Sequence, residues 1–194
     1  MEMINKKPEI TVFAGPNGSG KSTITTISPH VITPYINADE ILRSTHCSDL
    51  EAAQKAYELR LRYVENGQSF SFETVLSTNR NLDLLRTAKS KGFFIRGIFV
   101  LTASAELNVF RVEARMQSGG HGVPPEKIRS RYIKSLANIP EFIAICDVCH
   151  IYDNTRQAPA RIFKKKHDEI SFWTTQIWTR KKIFELVGLP IPKD

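Results

Sequence analysis

The chain has 194 residues, an ordinary apolar share of 41% and a formal net charge of +7. These values fit a single folded domain over 1–194 with a real core, and no segment has the ~18–20 consecutive apolar residues that a membrane span requires. The polar start, Met1 to Pro8, lacks the apolar run of a signal peptide, and three cysteines without an export signal suit free thiols, so a cytoplasmic protein is expected.

The β-branched, apolar run Glu9 to Ala14 reads as a buried parallel strand. It runs into Gly15-Pro16-Asn17-Gly18-Ser19-Gly20-Lys21-Ser22, which matches the phosphate-binding pattern G-x-x-x-x-G-K-[ST]. Glycines let backbone N–H groups approach phosphate oxygens. Lys21 suits the β- and γ-phosphates, the Ser22 hydroxyl suits Mg²⁺, and the helix beginning here turns its positive end to the anion. Pro29 and Pro34 bracket a connection to a short strand, Tyr35 to Asn37, followed by Ala38-Asp39-Glu40. A long helix is predicted from Asp49, as its cap, to Asn66, with Gly67 as its stop. Next come a strand over Ser69 to Glu73, a helix over Asn81 to Lys91 and an apolar strand over Phe93 to Leu101.

Helices are then predicted over Ala105 to Gln117 and Glu126 to Asn138, on either side of a glycine-rich stretch that holds His121. Val148 to Tyr152 reads as the last core strand. That makes Cys146-Asp147-Val148-Cys149-His150, which spells a haem-attachment pattern, part of the core instead. Ala160 to Phe163 and Ile170 to Trp173 are a candidate hairpin, and Gln176 to Val187 a terminal helix. The basic run Lys164-Lys165-Lys166-His167 reads as the turn of that hairpin; no basic, aromatic-lined stripe suggests a nucleic-acid strand as partner. Alternating strands and helices imply an α/β, three-layer αβα sandwich with a mostly parallel sheet, in which ligands bind at the carboxyl ends of the strands.

That rule selects the candidate residues. Asp39 follows the second strand and suits a base that deprotonates an acceptor hydroxyl; the position also suits a helix cap or a loop acid. Glu73 ends the third strand, where an acid holds Mg²⁺ or accepts hydrogen bonds from substrate hydroxyls, with Thr74 beside it. Arg111 and Arg115 share one helix face before a glycine hinge, as in a lid over phosphates spanning about 111–131, although spacing alone slightly favours surface arginines, one of them paired with Glu113 or Glu106. Arg129 and Arg131 are read as surface residues, with a place facing the nucleotide as the alternative. Asn154 follows the last strand, where a base- or ribose-contacting loop or a plain Asx turn is expected.

Taken in order, the phosphate loop, Asn37-Ala38-Asp39-Glu40, Phe72-Glu73-Thr74, Arg111-Val112-Glu113-Ala114-Arg115 with Gly119-Gly120-His121-Gly122-Val123-Pro124, and Tyr152-Asp153-Asn154 resemble the zeta-toxin family of kinases, in its short zeta-toxin-like branch. The resemblance spans about Glu9 to Asn154. It implies ATP-dependent phosphorylation of the 3′-hydroxyl of UDP-N-acetylglucosamine, with ATP and Mg²⁺ as cofactors. It also implies that Lys21 and Ser22 hold phosphates and metal, Asp39 is the base, Glu73 binds sugar hydroxyls with Asn37 and Thr74 nearby, and Arg111 neutralises the transferring phosphoryl group. The family's second lid arginine has no direct match, which leaves Arg115 or His121 for its place. A small helical antitoxin is a possible partner by the same resemblance. The residues themselves also admit a kinase of another small hydroxylated molecule, such as an antibiotic or nucleoside, and a nucleotide-dependent switch or ATPase.

Overall fold

The computed structural model describes residues 7–117 and 122–190. Seven strands form one sheet in the order β2-β3-β1-β4-β5-β6-β7. The first five, β1 (Glu9–Ala14), β2 (Tyr35–Ile36), β3 (Phe70–Thr74), β4 (Phe94–Leu101) and β5 (Val148–Asp153), are parallel to one another. β6 (Ala160–Lys166) and β7 (Glu169–Phe172) extend the sheet as an antiparallel hairpin. The expected mixed α/β architecture is therefore present. The basic run does not form the turn as expected: Lys164 to Lys166 lie in β6, and the pairing of Lys166 with Glu169 leaves the turn to His167 and Asp168.

Side chains alternate along each strand, so the two faces of the sheet carry different cores. Ile10, Val12, Phe70, Phe72, Ile95 and Phe99 face the main core with residues of α3 (Asp49–Glu65), α4 (Arg80–Ser90), α7 (Ile139–Ile145) and α8 (Arg180–Val187). Phe13, Ile98 and Val100 face the other way, toward Ile24 of the short α1 (Lys21–Ile27). This thinner face retains a cavity of about 320 Å³, which His30, His150, Tyr152 and Arg161 help to line. A pair of helices, α5 (Ala105–Gln117) and α6 (Pro125–Ala137), packs through Val109, Val112 and Ile128, with Asn108 and Val112 reaching Gly18 of the phosphate loop.

Two helices escaped the sequence reading. α2 (Ala38–Thr45) has only a short, half-buried apolar stripe, Ala38, Ile41 and Leu42, too brief to mark a helix by its period. α7 begins just after Asn138, where Pro140 reads as a break; it stands instead in the first turn of a new helix, where its missing N–H costs nothing. Two boundaries also move. The cap of α3 is Ser48, in a reciprocal capping box with Glu51, and α8 starts at Arg180 behind its cap Thr179.

A Cβ added at Gly97, in central β4, would lie 2.7 Å from both Cys146 Sγ and Phe142 Cζ. We expect Gly97→Ala to cost about 1–3 kcal/mol by overpacking, read as a lower melting temperature. His150, on β5, is pulled down from 6.5 to about 4 by burial and then by the positive charges of Arg161, Lys164, Arg96 and His30. The unfolded chain therefore binds a proton that the folded chain refuses between these values. Stability falls as pH drops from about 6.5 to 4, and melting curves of His150→Gln should show a shallower slope across that window.

Candidate active site

The parallel register sets the site. β1 pairs with β3 so that Phe13 is opposite Glu73 and Ala14 opposite Thr74, and the Gly15 N–H donates to the Thr74 carbonyl at 3.1 Å. The phosphate loop thus leaves the sheet beside Glu73. Its sharp course requires glycine: Gly20 has φ +91°, and a Cβ there would lie 2.0 Å from Asn154 Nδ2. Asn154 is 8% exposed and donates to the Ser19 carbonyl at 2.8 Å, so its amide braces the loop from behind. Asp153 forms the Asx turn beneath it by accepting from Thr155 N at 3.0 Å.

Lys21 is buried. Its ammonium donates to the Pro16 carbonyl at 3.0 Å and lies 3.8 Å from Glu73 Oε1. Burial holds its pKa below the usual lysine value, against the opposing pull of Glu73 and Asp39. Glu73 also accepts from the Tyr35 hydroxyl at 2.6 Å and from Ser22 Oγ at 3.4 Å. Burial and the Glu73 charge push the Tyr35 phenol far up, which keeps it a donor. Asn37, not Asp39, caps α2: its Oδ1 accepts from Asp39 N at 2.9 Å, which leaves the Asp39 carboxylate out of the cap.

Two cavities meet here. One, of about 490 Å³, is lined by loop residues Asn17, Gly18, Gly20 and Ser22, by Arg111 and Arg115 of α5, and by Asn154. The other, of about 480 Å³, lies toward α2, α3 and α4 and is lined in part by Asn37, Tyr57, Arg60, Thr74, Arg80 and Arg131. Asn17, Lys21, Asp39 and Glu73 line both. Arg111 is anchored by the carbonyls of Asn154 at 2.8 Å and Thr155 at 3.2 Å, and the charge of Arg115 reaches Lys21. Thr74 Oγ1 accepts from Leu76 N and from Asn81 Nδ2, which fixes the end of β3. His121 lies outside the described residues. Arg129, by contrast, forms a two-pronged ion pair with Glu106 at 2.8 Å.

The structure adds residues that sequence reasoning passed over. Arg60 is the readable one: it follows Ala52 and Ala56 and precedes Val64 at four-residue steps on the buried face of α3, a cation in an apolar stripe. Nothing local marks Tyr35 or Arg80. Arg131 comes to the site through Asn17, whose Oδ1 accepts from its guanidinium at 3.3 Å.

No family model matches the chain. A protein of Haemophilus influenzae described as uncharacterized is 30% identical over 125 residues, covering 62% of this chain and 89% of that protein. The chain belongs to the same family as this Haemophilus protein. Among solved structures, the AvrRxo1-ORF1:AvrRxo1-ORF2 complex with sulphate ions aligns with a TM-score of 0.69 at 16% identity over 99% of this chain and 67% of that one. The same pair with ATP aligns at 0.66 and 15% identity, over 98% and 67%. A structure of the PezAT chromosomal toxin-antitoxin system of Streptococcus pneumoniae aligns at 0.60 and 20% identity, over 94% and 88%. At these identities the likeness is one of fold, and at that level the resemblance to zeta-toxin-like proteins holds.

Because the buried Asn154 amide holds the Ser19 carbonyl, Asn154→Ala should cost about 1–2 kcal/mol of stability, read as a lower melting temperature.

Proposed function

We propose that this chain is an ATP-dependent phosphotransferase that moves the γ-phosphoryl group of ATP to a sugar hydroxyl, with the 3′-hydroxyl of UDP-N-acetylglucosamine or a related nucleotide sugar as acceptor. The carrying observation is that two cavities of similar size share the wall formed by Asn17, Lys21, Asp39 and Glu73. A donor on the loop side and an acceptor on the other side would meet at that wall, as in-line transfer demands. A nucleotide switch has no need of the second cavity. The ATP complex of the AvrRxo1-ORF1 pair agrees with nucleotide binding on this fold, and the nucleotide-sugar acceptor rests on the motif resemblance.

The residues present fit the cofactors. The glycine cradle and buried Lys21 suit phosphates, and Ser22 Oγ with the Glu73 carboxylate 3.4 Å away offers hard oxygen ligands for Mg²⁺. When bound, Mg²⁺ would neutralise charge on the phosphate oxygens. The chain's own residues do the rest. Asp39 accepts the proton of the acceptor hydroxyl as its oxygen bonds to the γ-phosphorus and the bond to the ADP oxygen breaks. Lys21, Arg111 and Arg115 offset the negative charge on the phosphoryl oxygens. Tyr35 holds Glu73 in place, where its carboxylate would face Mg²⁺ and the sugar hydroxyls when these are bound. The whole chain acts as one kinase domain in the cytoplasm. A small helical antitoxin is a proposed partner, as the PezAT toxin-antitoxin structure shares this fold. Among the described residues no helix is long and apolar enough to cross a membrane.

The test is ADP release from Mg·ATP with and without UDP-N-acetylglucosamine, read together with the mass of the sugar nucleotide. We expect sugar-dependent release and one added phosphate; slow hydrolysis indifferent to the sugar would reject this acceptor. Asp39→Asn should keep ATP binding and lower kcat by roughly 10²–10⁴, and an Asn variant with full turnover would remove Asp39 as the base.

A further inference from the structure

The acceptor-side cavity contains more positive charge than the chain itself compensates. Arg60 is 5% exposed, yet among the described residues no carboxylate lies within ion-pair distance of it; the exposed Arg80 and the half-buried Arg131 on the other walls likewise have none. The contacts of Arg60 are neutral: Asn81 Oδ1 at 3.1 Å, the Glu73 carbonyl at 3.2 Å and the Phe72 ring 4.4 Å below its guanidinium carbon; its Nε has no partner. Arg80 stacks 3.8 Å over Tyr57 and donates to Gln54 Oε1 at 2.5 Å, which orients the guanidinium without neutralising it. Arg131 rests on the Asn17 amide.

Burying a cation without an opposite charge is costly, and a fold that does so next to an open cavity has left the counter-charge to a ligand. Burial, reinforced by the charge of Arg80, pulls Arg60 down to about 10, which reports the same lack of compensation. Glu73 and Asp39 do not relieve it: they stand on the wall shared with the phosphate loop, with Glu73 turned toward Lys21, Ser22 and Tyr35.

We propose that this cavity is an anion subsite, in which a phosphoryl or carboxylate group of the acceptor is seated on Arg60 and Arg80 while the reacting hydroxyl faces Asp39. The inference rests on the kinase reading and narrows it. Neutral sugars, nucleosides and polycationic antibiotics are poor acceptors, because they leave the arginines unpaired.

The test is calorimetric titration of the full chain saturated with Mg·ADP, so that the phosphate loop is filled. The probes are N-acetylglucosamine 1-phosphate, N-acetylglucosamine and inorganic phosphate. We expect the phosphosugar to bind at least tenfold tighter than the neutral sugar, and Arg80→Gln and Arg60→Met each to weaken the phosphosugar tenfold or more. ADP titration of the same variants checks that they fold. Inorganic phosphate binding as tightly as the phosphosugar supports the anion site and assigns its affinity to the phosphate group alone; much weaker phosphate binding supports it with the sugar contributing. Equal binding of charged and neutral sugars, no anion binding, or anion binding unchanged in both variants overturns the proposal. A wild-type chain that fails to bind ADP defeats the kinase reading instead. The anion titration is then repeated on Lys21→Ala, in which the loop lysine is removed, with the same criteria.

Discussion

The site depends on one buried ammonium. Lys21 is taken out of water at the mouth of the phosphate loop, where a charge without partners would not be tolerated. Its stability there rests on the Pro16 carbonyl in its own loop and the Glu73 carboxylate from another strand. Glu73 is in reach because β1 and β3 are adjacent, in a register that places it opposite Phe13. The order of the strands, the course of the loop and the charge state of the site are therefore one constraint. Tyr35 extends it to β2 through its bond to Glu73.

Around this centre the fold distributes rigid and responsive parts differently. The main core, filled by Phe70, Phe72, Phe99 and Phe142, secures the strands whose ends carry the site. The other face is covered by the short α1 and relies on fewer apolar contacts. Above the strand ends, a hydrogen-bonded hub over Asp153, Asn154 and Thr155 joins three parts: Asn154 holds Ser19 of the loop, the carbonyls of Asn154 and Thr155 hold Arg111, and Thr155 Oγ1 accepts from Ala103 N beyond β4. The arginine of α5 is thereby tied to the same backbone that shapes the phosphate loop, so a shift in either is felt by the other.

Charge divides the site into functional halves. Lys21, Arg111 and Arg115 surround the loop side, Arg60, Arg80 and Arg131 the other, and the two carboxylates Asp39 and Glu73 lie between them. Cationic side chains on both flanks with carboxylates at the middle are what the proposed phosphoryl transfer would use, in which charge must be neutralised while a hydroxyl proton is withdrawn. A surplus of seven positive charges over the chain acquires a local meaning here that the total alone does not have.

Much of this was legible in the sequence where a local rule acts alone. The strand–loop–helix around Gly15 to Ser22, the parallel strands and the helix over Ala105 to Gln117 follow from patterns of period two or 3.6 and from glycine, and these the chain determines by itself. Features with a weak local pattern were not legible: α2 is a short helix whose apolar face, Ala38, Ile41 and Leu42, is only half-buried, and α7 hides behind a proline that is harmless in a first helical turn. The roles of single residues were the least legible. Asn154 reads as a turn residue, but the fold uses its amide to hold a carbonyl 135 positions away in sequence. Arg60 and Arg80, twenty residues apart on different helices, become one positive surface when α3 and α4 pack on the same side of the sheet. Sequence alone determined the glycine-rich loop between β1 and α1. Tertiary structure decided which charges surround it, because electrostatic energy depends on distance and burial, and neither exists until the strands have paired.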